Sequence, residues 1–447
     1  MVKRILFVTL LLFGGFICGQ VIQKIEIRNN HTTQNWIIHR ELLFKAGDTI
    51  DTTFTYKIKR SKENLYNTRL FNEIDIRDTI IQGEFVVLIT VVERWYIWPY
   101  PIFEHADRNL ATYIHEQEWE RINYGLMLTK YNFRGRREIV NFKIRGGFRQ
   151  QLALNYIVPY ISPSQQKLGL LFDVSFFRQK AFPFDIVNNR YAYAESPSYQ
   201  YFEYRFMAGL QFRPRFDTRH RLIVTTNRLQ LSDTTASIRQ SLYSSREDHN
   251  LWTIISYQFN HSTLDYILYP TEGYAITLEF QSAVDRRRNS WQNIFFTAQN
   301  HNFISYRFIY SGLLLIDYFP NNLPPIGLKQ NIGVNYYFRG FEDFVYKADA
   351  AVLTRQQLSF AWIKRRKYHI EKISTEKFNK PFLSLYQTIF TDIGLLNEIQ
   401  DEHSHRFLAA LGGGIDLVSY YDIIFRFETV YNTRNKLLFN IHLGSVF

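Results

Sequence analysis

Residues 95–447 repeat one pattern: stretches of about ten residues in which apolar and polar side chains alternate, broken by turn signals. Val140, Phe142 and Ile144 alternate with Asn141, Lys143 and Arg145. Leu152, Leu154, Tyr156 and Val158 interleave with Ala153 and Asn155. The same spacing runs through Leu168, Leu170, Phe172, Val174 and Phe176, through Phe202, Tyr204, Phe206, Ala208 and Leu210, and through Tyr274, Ile276, Leu278 and Phe280. A period of two means strands, with successive side chains on opposite faces. Here one face is apolar and the other charged or small. A soluble sandwich has the same period with its apolar face inward, so length and number must separate the two. Strands of about ten residues are long enough to cross a bilayer at a tilt. The turn signals divide the segment into about sixteen strands, an even number in the outer-membrane range. The expected fold is mainly β, an antiparallel transmembrane β-barrel of about sixteen strands.

Composition agrees. Aromatic residues make up 17% of the chain, yet mean hydropathy is only -0.24. After the N-terminus no run of apolar residues is long enough for a membrane helix. Alternation explains the pairing of many aromatics with modest hydropathy, because lumen residues offset lipid-facing ones. Residues 1–19 read as a secretory signal: Lys3 and Arg4, a short apolar core, then Gly14, Gly15 and Gly19. Cys18 is the only cysteine, and the bulky Ile17 before it disfavours a lipoprotein site, so disulfides and thiol chemistry are not expected in the mature chain. The net charge of +12 could suggest nucleic acid. In an exported barrel it fits lumen lining or contact with anionic headgroups better, and no nucleic-acid partner is expected.

Residues 20–94 follow another pattern. Alternation over 21–28 predicts a strand. Trp36, Ile37, Leu42 and Leu43 predict a short helix over 34–44, stopped by Ala46-Gly47-Asp48. Ile58, Leu65 and Leu70 predict a second helix over 55–70. Alternating strands follow over 71–81 and 85–92, joined at Gln82-Gly83. The result is one small α+β domain.

Two motifs remain. Tyr336-Tyr337-Phe338-Arg339-Gly340-Phe341-Glu342-Asp343-Phe344 follows a turn-rich segment. Phe390-Thr391-Asp392-Ile393-Gly394 places an acid in an otherwise apolar strand. A loop arginine and a strand aspartate are natural partners when the loop folds into a polar interior. The pair resembles the Arg-Gly-Phe/Tyr loop and the Phe-x-Asp-x-Gly strand of the BamA/TamA superfamily, outer-membrane barrels preceded by POTRA domains. The strand–helix–helix–strand–strand order of residues 20–94 resembles a POTRA domain. Asp265 with Pro270 and Gly273 resembles the family's Asp-x-Arg-x-x-Pro-x-x-Gly turn, with Tyr266 where arginine is expected. The alternating terminus that closes on Phe447 resembles the recognition signal of outer-membrane proteins.

This resemblance implies a bacterial outer-membrane location with the POTRA domain in the periplasm. It implies insertion or translocation of client polypeptides, in contact with outer-membrane lipid and lipopolysaccharide and with other subunits of an outer-membrane complex. An accessory subunit or a passive porin on the same scaffold is the alternative. It places Arg339, Gly340 and Phe341 on the sixth external loop, reaching inward to Asp392, with Gly394 leaving room beside the acid. Pro99 and Pro101 lack N–H groups two residues apart, so the first strand suits a weak closing seam, which Gly444 near the last strand would weaken further. Lys364, Arg365, Arg366 and Lys367 begin a basic turn over 363–380, suited to solvent, to anionic headgroups or to a partner. Asp401, Glu402, His403 and His405 match no zinc or calcium spacing. With no nucleophile motif, neither enzyme activity, cofactor nor metal is expected.

Overall fold

A computed structural model describes residues 20–105, 122–187, 189–232, 249–324, 328, 338–342, 344–398, 404–434 and 436–443. The N-terminal domain has β1 (Lys24–Arg28), α1 (Asn35–Arg40), α2 (Phe54–Asn67), β2 (Phe71–Ile81) and β3 (Glu84–Glu93). Its sheet runs β1-β3-β2, with β1 parallel and β2 antiparallel to β3. Ile37, Ile38, Leu65, Phe71, Val87 and Ile89 pack the helices on that sheet. Both helices are shorter than their apolar spacing predicts. At the end of α1, the Leu43 N–H turns to Ser61 Oγ (2.9 Å), leaving the helical ladder. At the end of α2, Thr68 Oγ1 donates to Leu65 O (2.6 Å), and Arg69 takes a left-handed φ of 60°.

The barrel strands are β4 (Ile97–His105), β5 (Ile122–Phe133), β6 (Glu138–Gly147), β7 (Arg149–Val158) and β8 (Leu168–Gln179). A hairpin of β9 (Ala181–Val187) and β10 (Arg190–Glu195) then leaves the wall. The wall resumes with β11 (Tyr201–Phe212), β12 (Thr218–Leu231), β13 (His249–Ser262), β14 (Gly273–Asp285), β15 (Ser290–Phe303) and β16 (Phe308–Tyr318). It ends with β17 (Ala348–Lys367), β18 (Phe382–Glu398), β19 (Ser404–Ser419), β20 (Ile424–Asn432) and β21 (Leu437–Leu443). Together, without β9 and β10, they form one 16-stranded sheet in which each strand pairs antiparallel with its neighbour in sequence.

The apolar face points outward. Phe142, Ile144, Leu154, Val174 and Phe206 are exposed, whereas Asn227, Ser256, Gln357 and Thr388 on the other face are buried. A sandwich would reverse this. An apolar belt outside and a polar interior are what a lipid-facing barrel requires. Among the described residues no helix is long and apolar enough to cross a membrane.

The two ends of the wall differ. The turns β5–β6, β7–β8, β11–β12, β13–β14, β17–β18 and β19–β20 face the N-terminal domain. Connections alternate between this end and the opposite, distal end, and residues 319–347 are the sixth distal connection in chain order. β4 and β21 are the two ends of the sheet, and no pairing joins them among the described residues. Tyr131 N donates to Tyr96 O (2.7 Å). Residues an even number further along therefore also bond toward β5, so Pro99 and Pro101 lie on the phase that faces the free edge. Gly444 and Phe447 lie outside the described residues.

Candidate functional site

Within the 319–347 connection, the described residues 338–342 and 344–347 pack inside the barrel, where their polar and aromatic groups find partners on the inner wall. Phe338 and Phe341 are buried against Phe390, Leu396, Leu408 and Ala410. Gly340 has φ +82°, a conformation that favours glycine, and a Cβ there would lie 2.9 Å from Val430 Cγ1. Its carbonyl accepts a bond from Asn432 Nδ2. A Cβ on Gly394 would lie 3.0 Å from the Phe338 ring, so this glycine makes room for the loop. Tyr336, Tyr337 and Asp343 lie outside the described residues.

Arg339 and Asp392 meet, and both are fully buried. Arg339 Nη2 donates to Asp392 Oδ1 (2.6 Å), and Nε lies 3.1 and 3.2 Å from the two carboxylate oxygens. The guanidinium stacks 3.5 Å from the centroid of Phe390. Its remaining nitrogen donates to Gln357 Oε1 (3.0 Å) and lies 3.5 Å from Glu428 Oε1. Asp392 is on the inner face because its neighbours Ile389 and Ile393 point out. The planar fork of arginine suits this bidentate, stacked arrangement, and lysine could not reproduce it.

The inner wall adds residues that sequence reasoning missed. Arg355 Nη2 lies 3.0 Å from Asp392 Oδ2. Arg355 and Asp392 sit opposite each other in the β17–β18 register. Next to them Arg426 and Asp416 form a bidentate pair, both bonds 2.6 Å, and Tyr269 OH donates to Asp416 (2.9 Å). The inward phase of Leu353, Arg355, Gln357 and Ser359 was readable from alternation. Register across the strands was not.

We expect Gly340→Ala to loosen the loop and leave the barrel inserted. A left-handed non-glycine residue costs about 1–2 kcal/mol before any clash with Val430. Limited proteolysis within 319–347, read beside heat-modifiable gel mobility, should show faster loop cleavage with unchanged barrel migration.

A second polar cluster joins the N-terminal domain to the barrel. Glu41, fully buried, accepts bonds from Arg213 (2.7 and 3.0 Å), Arg40 (2.8 Å) and Tyr160 OH (2.9 Å). Burial alone would raise its pKa, but the guanidiniums of Arg213, Arg137 and Arg40 outweigh that and bring it down to about 2. On the other flank Arg94 pairs bidentately with Asp422 (2.5 and 3.0 Å). Tyr266, where the family turn would have arginine, donates to the same Asp422. Of the basic turn read over 363–380, residues 363–367 extend β17, and both parts find partners within the chain: Asn72 Nδ2 donates to Lys377 O (3.1 Å), and Lys367 pairs with Glu73 (2.8 Å). Of the acid and histidine group that matched no metal spacing, Asp401, Glu402 and His403 lie outside the described residues. His405 lies in β19. No group of three metal-type ligands occurs among the described residues.

Comparison with known proteins gives one family. The Omp85 superfamily domain matches residues 132–407. No curated protein matches the chain in sequence. Among solved structures, CdiB from Escherichia coli aligns with a TM-score of 0.58 at 12% identity, covering 95% of this chain and 75% of that one. CdiB from Acinetobacter baumannii gives 0.54 at 12% identity, with 95% and 74% covered. BamA from Haemophilus ducreyi lacking POTRA domains 1-3 gives 0.48 at 11% identity, with 95% and 83% covered. The fold is an outer-membrane β-barrel.

Proposed function

The chain belongs to the Omp85 superfamily, and from that premise we propose that it inserts or translocates client polypeptides at the outer membrane without making or breaking bonds. The N-terminal domain faces the periplasm in this reading. The observation that carries it is an open sheet edge. β3 is central in the domain, and the outer side of β2 carries no strand among the described residues. The far half of β2 is exposed, Ile80 included. An extended client strand could add to this edge through backbone bonds and place alternate side chains beside Ile80. The edges of β4 and β21, unjoined among the described residues, offer a second such surface next to lipid.

A passive porin fits less well. The seated loop, with Phe338, Arg339 and Phe341 buried inside the wall, occupies lumen space a porin would leave to water. An accessory subunit has one point in its favour, since the exposed far half of β2 suits a fixed partner as well as a passing client. Depletion followed by comparison of the outer-membrane proteome tests the main reading. Loss of other barrels or of an exported protein is the expected result. An unchanged proteome together with stoichiometric co-purification of one partner would favour the accessory subunit.

A further inference from the structure

The N-terminal domain does not close flush on the barrel. Between α2 and the β11–β12 and β13–β14 turns lies a cavity of about 240 Å³. Its described lining has four guanidiniums, those of Arg60, Arg137, Arg213 and Arg219, and one carboxylate, Asp217. Some of these charges are balanced from outside the cavity. Arg213 is held by Glu41 (2.7 Å) and Arg60 by Glu63 (2.9 Å). Asp217 accepts from Thr218 Oγ1 (2.8 Å) and lies 3.9 Å from His261 Nδ1.

Two guanidiniums remain without a close carboxylate, against the single lining carboxylate of Asp217. Arg137 reaches Glu41 only at 3.7 Å, and its hydrogen bonds go to the neutral Tyr160 OH and Asn67 O. Arg219 has no ion pair among the described residues, and its Nε is buried without a hydrogen-bond partner. An arginine cannot relieve such a position by losing its proton. A sheltered cation without a counter-charge is costly, and so is a buried donor without an acceptor. An anion in the cavity removes both costs.

We propose that this cavity binds a phosphate-class oxyanion between the domain and the barrel. A tetrahedral oxyanion offers several acceptor oxygens to converging guanidinium forks, which a spherical halide does not. Arg60 comes from α2, while Arg219 comes from β12 and Arg137 from the β5–β6 turn. The bound anion therefore bridges the two parts of the chain and favours their docking.

Isothermal titration of inorganic phosphate into the full chain in detergent, at constant ionic strength in chloride, tests this. Saturable binding is expected. Arg219→Gln should weaken it about tenfold or more, the scale of a lost charge-assisted hydrogen bond. Arg219→Lys should keep part of the affinity, and Arg288→Gln, at the distal end, should keep all of it. Should Arg219→Gln lose its folded gel mobility, Arg60→Gln replaces it with the same expected loss. A parallel titration with a short-chain phosphatidylglycerol separates the sources: binding of the lipid but not of phosphate assigns the site to a headgroup of the same chemistry. Equal binding by wild type and the folded glutamine variant, or no saturable binding of either ligand, overturns the proposal.

Discussion

Asp392→Ala should release the seated loop more completely than Arg339→Ala. Asp392 is shared by two buried guanidiniums, Arg339 and Arg355. Removing the acid takes a buried counter-charge from both, and Arg339 keeps Glu428 at 3.5 Å. Removing Arg339 leaves Asp392 still paired with Arg355. Breaking a buried pair by deleting one partner costs about 3–5 kcal/mol, with lumen water lowering that figure. The loss falls on the loop, because the strands keep their backbone ladders. The expected outcome is an inserted barrel with a protease-sensitive 319–347 segment and impaired function, worse for Asp392→Ala. The double variant should lose less than the sum of the singles. Equal effects that add would show that the two side chains do not act as a unit.

Glu41→Ala should undock the N-terminal domain. The carboxylate is fully buried and faces Arg213, Arg40 and Arg137, so its removal leaves three clustered cations on the interface. The expected loss is again about 3–5 kcal/mol of docking free energy, by the same argument as for any buried charge left without its partner. Cys18 is the only cysteine, in the predicted signal, so paired spin labels at Lys62→Cys and Ser164→Cys report the gap with little background. Their distance distribution should be narrow in wild type and broad in the variant. The pH dependence has a defined sign. The folded pKa of Glu41 is about 2, below its ordinary 4.5. The stabilisation is fully present above the ordinary value and disappears as pH falls toward 2. Docking should therefore hold at pH 5, and this contribution should weaken progressively from about pH 4.5 down to about pH 2. Broadening of the label distance already at neutral pH would contradict the assignment.

The alternation of residues such as Val140 to Arg145 made the barrel legible, since one short pattern repeated many times averages out local ambiguity. Which face meets lipid needed one more fact, a charged Asp392 among outward Ile389 and Ile393, and the sequence contains it. The loop site was half legible. Arg339 and Asp392 stand in recognisable motifs, but Arg355 joins them only through the β17–β18 register, which no single strand encodes. The docking cluster was illegible for a related reason. Glu41 reads as one more acid at a helix end, and Arg213 as one more turn arginine. They meet across 172 residues of chain because separate turns converge under one small domain.

The placement of the domain bears on how the wall could deform. The domain grips the wall near both ends of the sheet: Thr33 is bonded by Asn132 near the end of β5, and Arg94 holds Asp422 between β19 and β20. The inner tip of the seated loop binds the late strands, through Asp392, Asn432 and Asn440, the last by way of Glu342, while Val345 N donates to Asn189 O of the β9–β10 hairpin (2.8 Å) and Phe319 packs with Trp252 and Trp291. Any parting of β4 from β21 thus has a hinge at the domain end and a stiffened panel on the β17–β21 side. The more compliant panel is the one made of β4 to β7, away from the loop's contacts with β8 and the late strands. The gap would be a wedge, narrow beneath the domain and widest at the far rim, so its geometry would admit material from the distal end first.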